Sequence, residues 1–73
     1  MPHITIKIYP GQTEEQKTAL TQAITKQVIE ITGKPEEVVS IDFIEVTEEA
    51  WMEEVYETDI RPNLDRLYKK PGY

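Results

Sequence analysis

His3-Ile4-Thr5-Ile6-Lys7-Ile8-Tyr9 alternates apolar and polar side chains without a break. That is the period of a half-buried strand. Pro2, Ile4, Ile6 and Ile8 fall on one face, and His3, Thr5, Lys7 and Tyr9 on the other, because successive side chains of a strand point to opposite sides. Pro10-Gly11 then breaks the pattern. A second run, Val39-Ser40-Ile41-Asp42-Phe43-Ile44-Glu45-Val46, reads as another strand.

Between the two runs lies a helix signal. Thr13-Glu14-Glu15-Gln16 has the form of a capping box: the Thr13 hydroxyl can accept from the Gln16 backbone while the Gln16 side chain returns the bond. Ala19, Leu20, Ala23, Ile24, Val28 and Ile31 come next at helical spacing, Gly33 is a suitable stop, and Pro35 lies just beyond. The spacing predicts a helix over 14–32. A helix between two strands makes them parallel and the crossover right-handed.

Beyond the second strand, Thr47 can cap a helix whose first turn carries Glu48 and Glu49, charges that suit a helix N-terminus. Ala50, Trp51, Val55 and Tyr56 predict that short helix. Pro62 fits only a first turn or a kink, so a further helical stretch is expected to start near Asp59. Ile60, Leu64, Leu67 and Tyr68 would form its apolar face, Lys69 and Lys70 would sit at its negative end, and Pro71-Gly72 would stop it. The predicted fold class is α+β: one domain over residues 1–73, a βαβ protomer with parallel strands and an additional C-terminal helix.

Seventy-three residues lie near the lower limit for a domain that folds alone. With no cysteine and a single histidine, neither a disulfide nor a structural metal is expected to help. Two strands alone would also leave exposed ladder edges. Both considerations predict a homo-oligomer that extends the sheet. A dimer is favoured over a hexamer, because the C-terminal extension would cover surface that a hexamer needs. The net charge is −6, from 14 acidic and 8 basic residues. This argues against nucleic acid and against an anionic membrane as partners. No apolar run is long enough for a signal peptide or a membrane span. A cytoplasmic location is expected.

Pro2 carries the chemical interest. Initiator methionine is commonly removed before a small residue, and its loss would leave Pro2 as a secondary amine heading an apolar strand. An α-amino group titrates near 7.7–8.0, with a secondary amine somewhat higher. Burial disfavours the cation and lowers that value. A depression of about 2 units would leave the amine mostly free base at neutral pH, as a general base requires. Proline at position 2 is in itself ordinary. Its meaning depends on the residues around it.

Met1-Pro2 leading into an alternating apolar strand, then Gly11, Glu14-Glu15-Gln16-Lys17 and an amphipathic helix, resembles the 4-oxalocrotonate tautomerase family. Pro35 before the second strand and Trp51 soon after it fit the same pattern, so the resemblance covers about residues 2–51. The tail, with Pro62 and Lys69-Lys70-Pro71-Gly72-Tyr73, looks like a short bacterial branch that carries an extra C-terminal helix. The resemblance implies a βαβ protomer, an oligomer, and a keto–enol proton shift run by the terminal proline without metal or organic cofactor. It also implies a large aromatic near the base, a position that Trp51 occupies in this sequence.

Two departures bear on the substrate. Better-known family members carry an arginine just after the glycine and another early in the second strand, where this chain has Gln12 and Ser40. Neutral side chains can hydrogen-bond to substrate oxygens but supply no positive charge to a developing dienolate. A chain of charge −6 also repels dianions at long range. The expected substrate is therefore a monocarboxylate or uncharged enol, such as an arylpyruvate stacking on Trp51 or Phe43. Arg61 and Arg66 are candidate replacements for the missing cations, although each could simply pair along its own helix. His3 faces away from Pro2 and reads as a surface or interface residue. Two rival readings remain: hydratase or dehalogenase chemistry through a protonated Pro2, and a small oligomeric binding module.

Overall fold

The computed structural model describes residues Met1–Tyr73. Its element order is β1 (His3–Ile8), α1 (Glu14–Thr32), a 3-10 turn (Glu36–Val38), β2 (Ser40–Glu45) and α2 (Glu48–Trp51). From α2 the chain continues as a π-helical segment (Met52–Ile60) and a 3-10 segment (Arg61–Arg66). The two strands pair in parallel, with register from His3↔Ser40 to Ile8↔Glu45. The βαβ protomer and its C-terminal helical segment match the sequence-based expectation.

The α1 boundaries follow from local chemistry. Gln16 N–H donates to Thr13 Oγ1 at 3.1 Å, and Thr13 N–H donates to Gln16 Oε1 at 2.9 Å. This is the reciprocal capping box anticipated from sequence. At the other end Gly33 adopts φ 74° and returns its N–H to the Ile29 carbonyl at 3.0 Å. Between β1 and α1, Gly11 has φ 124°, a region that side chains with a Cβ avoid.

In the strand register, Ile4, Ile6, Ile8, Ile41, Phe43 and Glu45 share one face. Lys17 of α1 forms an ion pair with Glu45 at 3.2 Å, which sets the helix over that face. The same ammonium also meets Glu14 at 3.2 Å. These two carboxylates, Glu14 foremost, raise the Lys17 pKa above the ordinary lysine value. On the opposite face Lys7 pairs with Asp59 of the π-helical segment. The C-terminal segment therefore covers the other side of the sheet near the ends of the strands. Val46 and Val55 are the only buried residues.

Three details differ from the sequence-based expectations. On α1, Ile24 and Val28 turn inward with Thr21, Thr25 and Ile29, whereas Ala19, Leu20, Ala23 and Ile31 are exposed. A two-stranded sheet is too narrow to receive the whole apolar stripe. No new helix begins near Asp59, because the backbone remains helical from Glu48 and only changes its winding. The Arg61 N–H reaches the Tyr56 carbonyl five residues back, and Pro62 falls in the first turn of the 3-10 segment, where its missing N–H costs nothing. Finally, helical structure ends at Arg66, so Lys69 and Lys70 lie beyond it and Tyr68 is fully exposed.

The protomer has more surface than its mass would give a compact monomer. It exposes 5753 Å², against about 4,650 Å² expected from the scaling of area with mass for folded monomers. Its radius of gyration is 13.9 Å, compared with about 11 Å for a compact domain of this length. No helix is long and apolar enough to cross a membrane.

Candidate active site

Pro2 is held by the β ladder. The Ser40 N–H donates to the Pro2 carbonyl at 3.2 Å, which extends the strand pairing one residue before β1. Pro2 is half-buried. The Ser40 hydroxyl is engaged on the other face of the sheet, where Oγ lies 2.6 Å from His3 Nδ1. His3 thus bonds to Ser40 and faces away from Pro2, as the strand period requires.

The aromatic cluster gathers at the far end of β1. Trp51 meets Tyr9 edge to face, with centroids 5.0 Å apart and ring planes at 83°. Its Nε1–H donates to the Tyr73 hydroxyl at 2.8 Å. Lys7, Ile8, Tyr9, Trp51, Met52 and Tyr73 line an open cavity of about 520 Å³. Six residues of strand at about 3.3 Å each separate Pro2 from Ile8, a span of about 20 Å. Within one protomer, then, Trp51 does not stand beside the proline.

The remaining candidates divide between these ends. Gln12 lies after β1 in the loop before α1, and its side-chain carbonyl oxygen is buried with no hydrogen-bond partner in the protomer. Phe43 pairs with Ile6 in mid-sheet on the helix-covered face, about 13 Å along the strand from Pro2 by the same rise per residue. Arg61 is engaged with Glu57 one turn back, Nη1 to Oε2 at 3.0 Å, and remains largely exposed. Arg66 Nε donates to Asn63 Oδ1 at 3.1 Å. Neither arginine is bonded to Pro2 or Ser40; Arg61 forms the local pair with Glu57 that was its alternative reading, and Arg66 bonds a neutral amide. Among the acids, Asp59 titrates below the ordinary aspartate range because the Lys7 ammonium hydrogen-bonds to it.

A family model described as "Tautomerase enzyme" matches residues 2–56, most of the chain and all of the βαβ unit. The chain belongs to the tautomerase family. Tautomerase PptA of Enterobacter sp. (strain 638) is 42% identical over 74 residues, covering 100% of this chain and 97% of that protein. Among solved structures, YwhB, a homologue of 4-oxalocrotonate tautomerase, aligns with TM-score 0.62 and 36% identity over 64% of this chain and 77% of that one. A structure from a mechanistic study of trans-3-chloroacrylic acid dehalogenase activity aligns with TM-score 0.64 and 31% identity, over 66% and 91% of the two chains.

This tautomerase is thus an isomerase of the 4-oxalocrotonate tautomerase kind. Two members of its aromatic cluster escaped the sequence reading. Tyr9 carries a usable signal, since strand alternation puts it on the Lys7 face, where the C-terminal segment packs. Tyr73 carries none, because it comes after Pro71-Gly72 and nothing local dictates that the tail turns back to Trp51.

Proposed function

We propose that this tautomerase catalyses keto–enol proton transfer on a small monoanionic or neutral enol, with Pro2 as the general base after removal of Met1. The observation that carries the reading is the Ser40 N–H bond to the Pro2 carbonyl. It fixes the backbone of the second residue at the head of the sheet, so the adjoining nitrogen would be a positioned amine rather than a frayed end. Pro2 would remove the proton α to the carbonyl and redeliver it across the enol. Arylpyruvates suit the site best, given its aromatic cavity and the neutral Gln12 and Ser40 at positions where a dicarboxylate would seek cations.

The working site belongs to a dimer in this reading. The protomer's excess of about 1,100 Å² of surface over a compact monomer doubles to the ~2,200 Å² of a permanent interface. A closed two-fold pairing of like strand edges runs antiparallel. It would bring Pro2 of one copy beside the Ile8 end of the other, where Trp51 meets Tyr9 and after which Gln12 follows in the chain. The separation of about 20 Å within one chain then ceases to be an obstacle, with Trp51 supplying the dry wall that keeps the amine neutral. The Gln12 carbonyl would accept from a substrate hydroxyl or from the second copy. A cytoplasmic location accords with the absence of cysteine.

The test is ketonisation of phenylpyruvate enol by trimmed protein and by Pro2→Ala. A loss of about a hundredfold or more in kcat is expected, the scale of a general base. Full activity in Pro2→Ala would end the reading. The likeness to the dehalogenase-study structure favours one second reading, in which a protonated Pro2 acts as the acid in hydration or dehalogenation. The pH–rate profile separates them: a base loses activity as pH falls through its pKa, and an acid loses it as pH rises.

A further inference from the structure

Trp51 is the only tryptophan in the chain, and its indole is held by contacts from two directions. Tyr9 meets it edge to face at 5.0 Å. From the other side, 22 residues along the chain, the Tyr73 hydroxyl accepts the indole Nε1–H at 2.8 Å. The Tyr73 ring leans in turn on Tyr56, with centroids 5.6 Å apart and planes inclined by 37°. Residues 67–73 form neither helix nor strand, yet they end in this cluster.

Core burial does not explain the arrangement. Tyr73 remains 61% exposed, so directional contacts rather than removal of a large apolar area hold it. Their effect falls on Trp51. An indole fixed by its N–H cannot turn freely about its side-chain bonds, and it presents a constant surface to the cavity lined by Lys7, Ile8, Tyr9, Met52 and Tyr73. A planar ring entering such a cavity gains from edge-to-face or offset geometry, worth about two- to tenfold in affinity beyond the area it buries. An alkyl chain gains only the area. A mobile indole would forfeit most of that difference.

We propose that Tyr73 is a positioning residue for Trp51 and thereby a specificity determinant, setting the preference of this site for aryl over alkyl side chains. The proposal rests on the reading of the cavity as the pocket for the substrate side chain. It requires no step in the chemistry, since Tyr73 acts through the indole.

The test compares 3-phenylpropanoate with heptanoate, acids of equal charge, by titration calorimetry on the intact oligomer of wild type, Tyr73→Phe and Tyr73→Ala. The Phe variant keeps the ring and deletes only the acceptor. The expected result is a three- to tenfold fall in the aryl-to-alkyl affinity ratio in Tyr73→Phe, and at least as large a fall in Tyr73→Ala. A shift in Trp51 emission should accompany it, because the indole N–H loses its acceptor; a merely structural tail would leave that signal unmoved in Tyr73→Phe. If the alanine variant fails to fold, the phenylalanine variant decides the matter. An unchanged ratio in Tyr73→Phe, or a wild type with no aryl preference, would overturn the proposal. Neither result depends on turnover. An unchanged ratio in Tyr73→Phe with Pro2-dependent ketonisation intact refutes only the role of Tyr73. A ratio that falls in Tyr73→Phe without Pro2 dependence of ketonisation refutes only the catalytic reading.

Discussion

Ser40 and Pro2 are joined by a backbone hydrogen bond of 3.2 Å, from the Ser40 N–H to the Pro2 carbonyl. It is the first rung of the parallel ladder and stands one residue ahead of the first regular strand position. A residue so close to a chain end would ordinarily fray. Here β2 orders it, and whatever chemistry belongs to the Pro2 nitrogen inherits that order.

Retention of Met1 should abolish this chemistry. With Met1 in place the Pro2 nitrogen is an amide, and the free amine is a primary one, displaced by a residue from the ladder. Ketonisation should therefore scale with the trimmed fraction measured by intact mass. Untrimmed protein should fall about a hundredfold or more below trimmed protein.

Stability should fall in acid partly through Asp59. Lys7 holds that carboxyl below its ordinary value of about 3.9. A group with a lowered folded pKa stabilises the fold above its unfolded value, and the contribution fades as pH drops from about 4 toward the lowered value. In Asp59→Asn, urea midpoints should vary less with pH in that window than in wild type. Equal pH dependence would mean that the pair contributes nothing, as many exposed ion pairs do.

Val55 is the most buried residue, 4% exposed, and Val46 is the next at 8%. Val55→Ala should cost about 1–3 kcal/mol in urea unfolding, from lost transfer energy and an unfilled space. The same change at Val28, only half-buried on α1, should cost less.

Ile31 stands 78% exposed and Leu20 38% exposed along a flank of α1. In the proposed dimer the second copy covers this flank. Ile31→Asp should shift sedimentation equilibrium toward monomer and lower the unfolding midpoint in a concentration-dependent way. If the helix instead faces solvent, the substitution should change stability by no more than about 0.5 kcal/mol and leave the association state as it was.

Much of this was legible in the sequence for local reasons. The capping box at Thr13 and Gln16 and the glycine stop at Gly33 determine α1 through bonds between neighbours, so its bounds could be read to the residue. Strand alternation likewise yielded the faces of β1, including His3 turned from Pro2. The C-terminal segment was harder. Its change from α to π winding and then 3-10 winding is encoded by no local pattern. The candidate site could be read as residue types but not as geometry. Pro2 and Trp51 were both identifiable, yet their separation along β1 emerges only once the strand has a length and the tail a destination.

The most direct test is an NMR titration of the Pro2 nitrogen in trimmed, ¹⁵N-proline-labelled oligomer. An amine midpoint at or below about pH 7, moving upward when Trp51→Ala admits water, is the expected result. A nitrogen still fully cationic at pH 7 would contradict the assignment of Pro2 as a base.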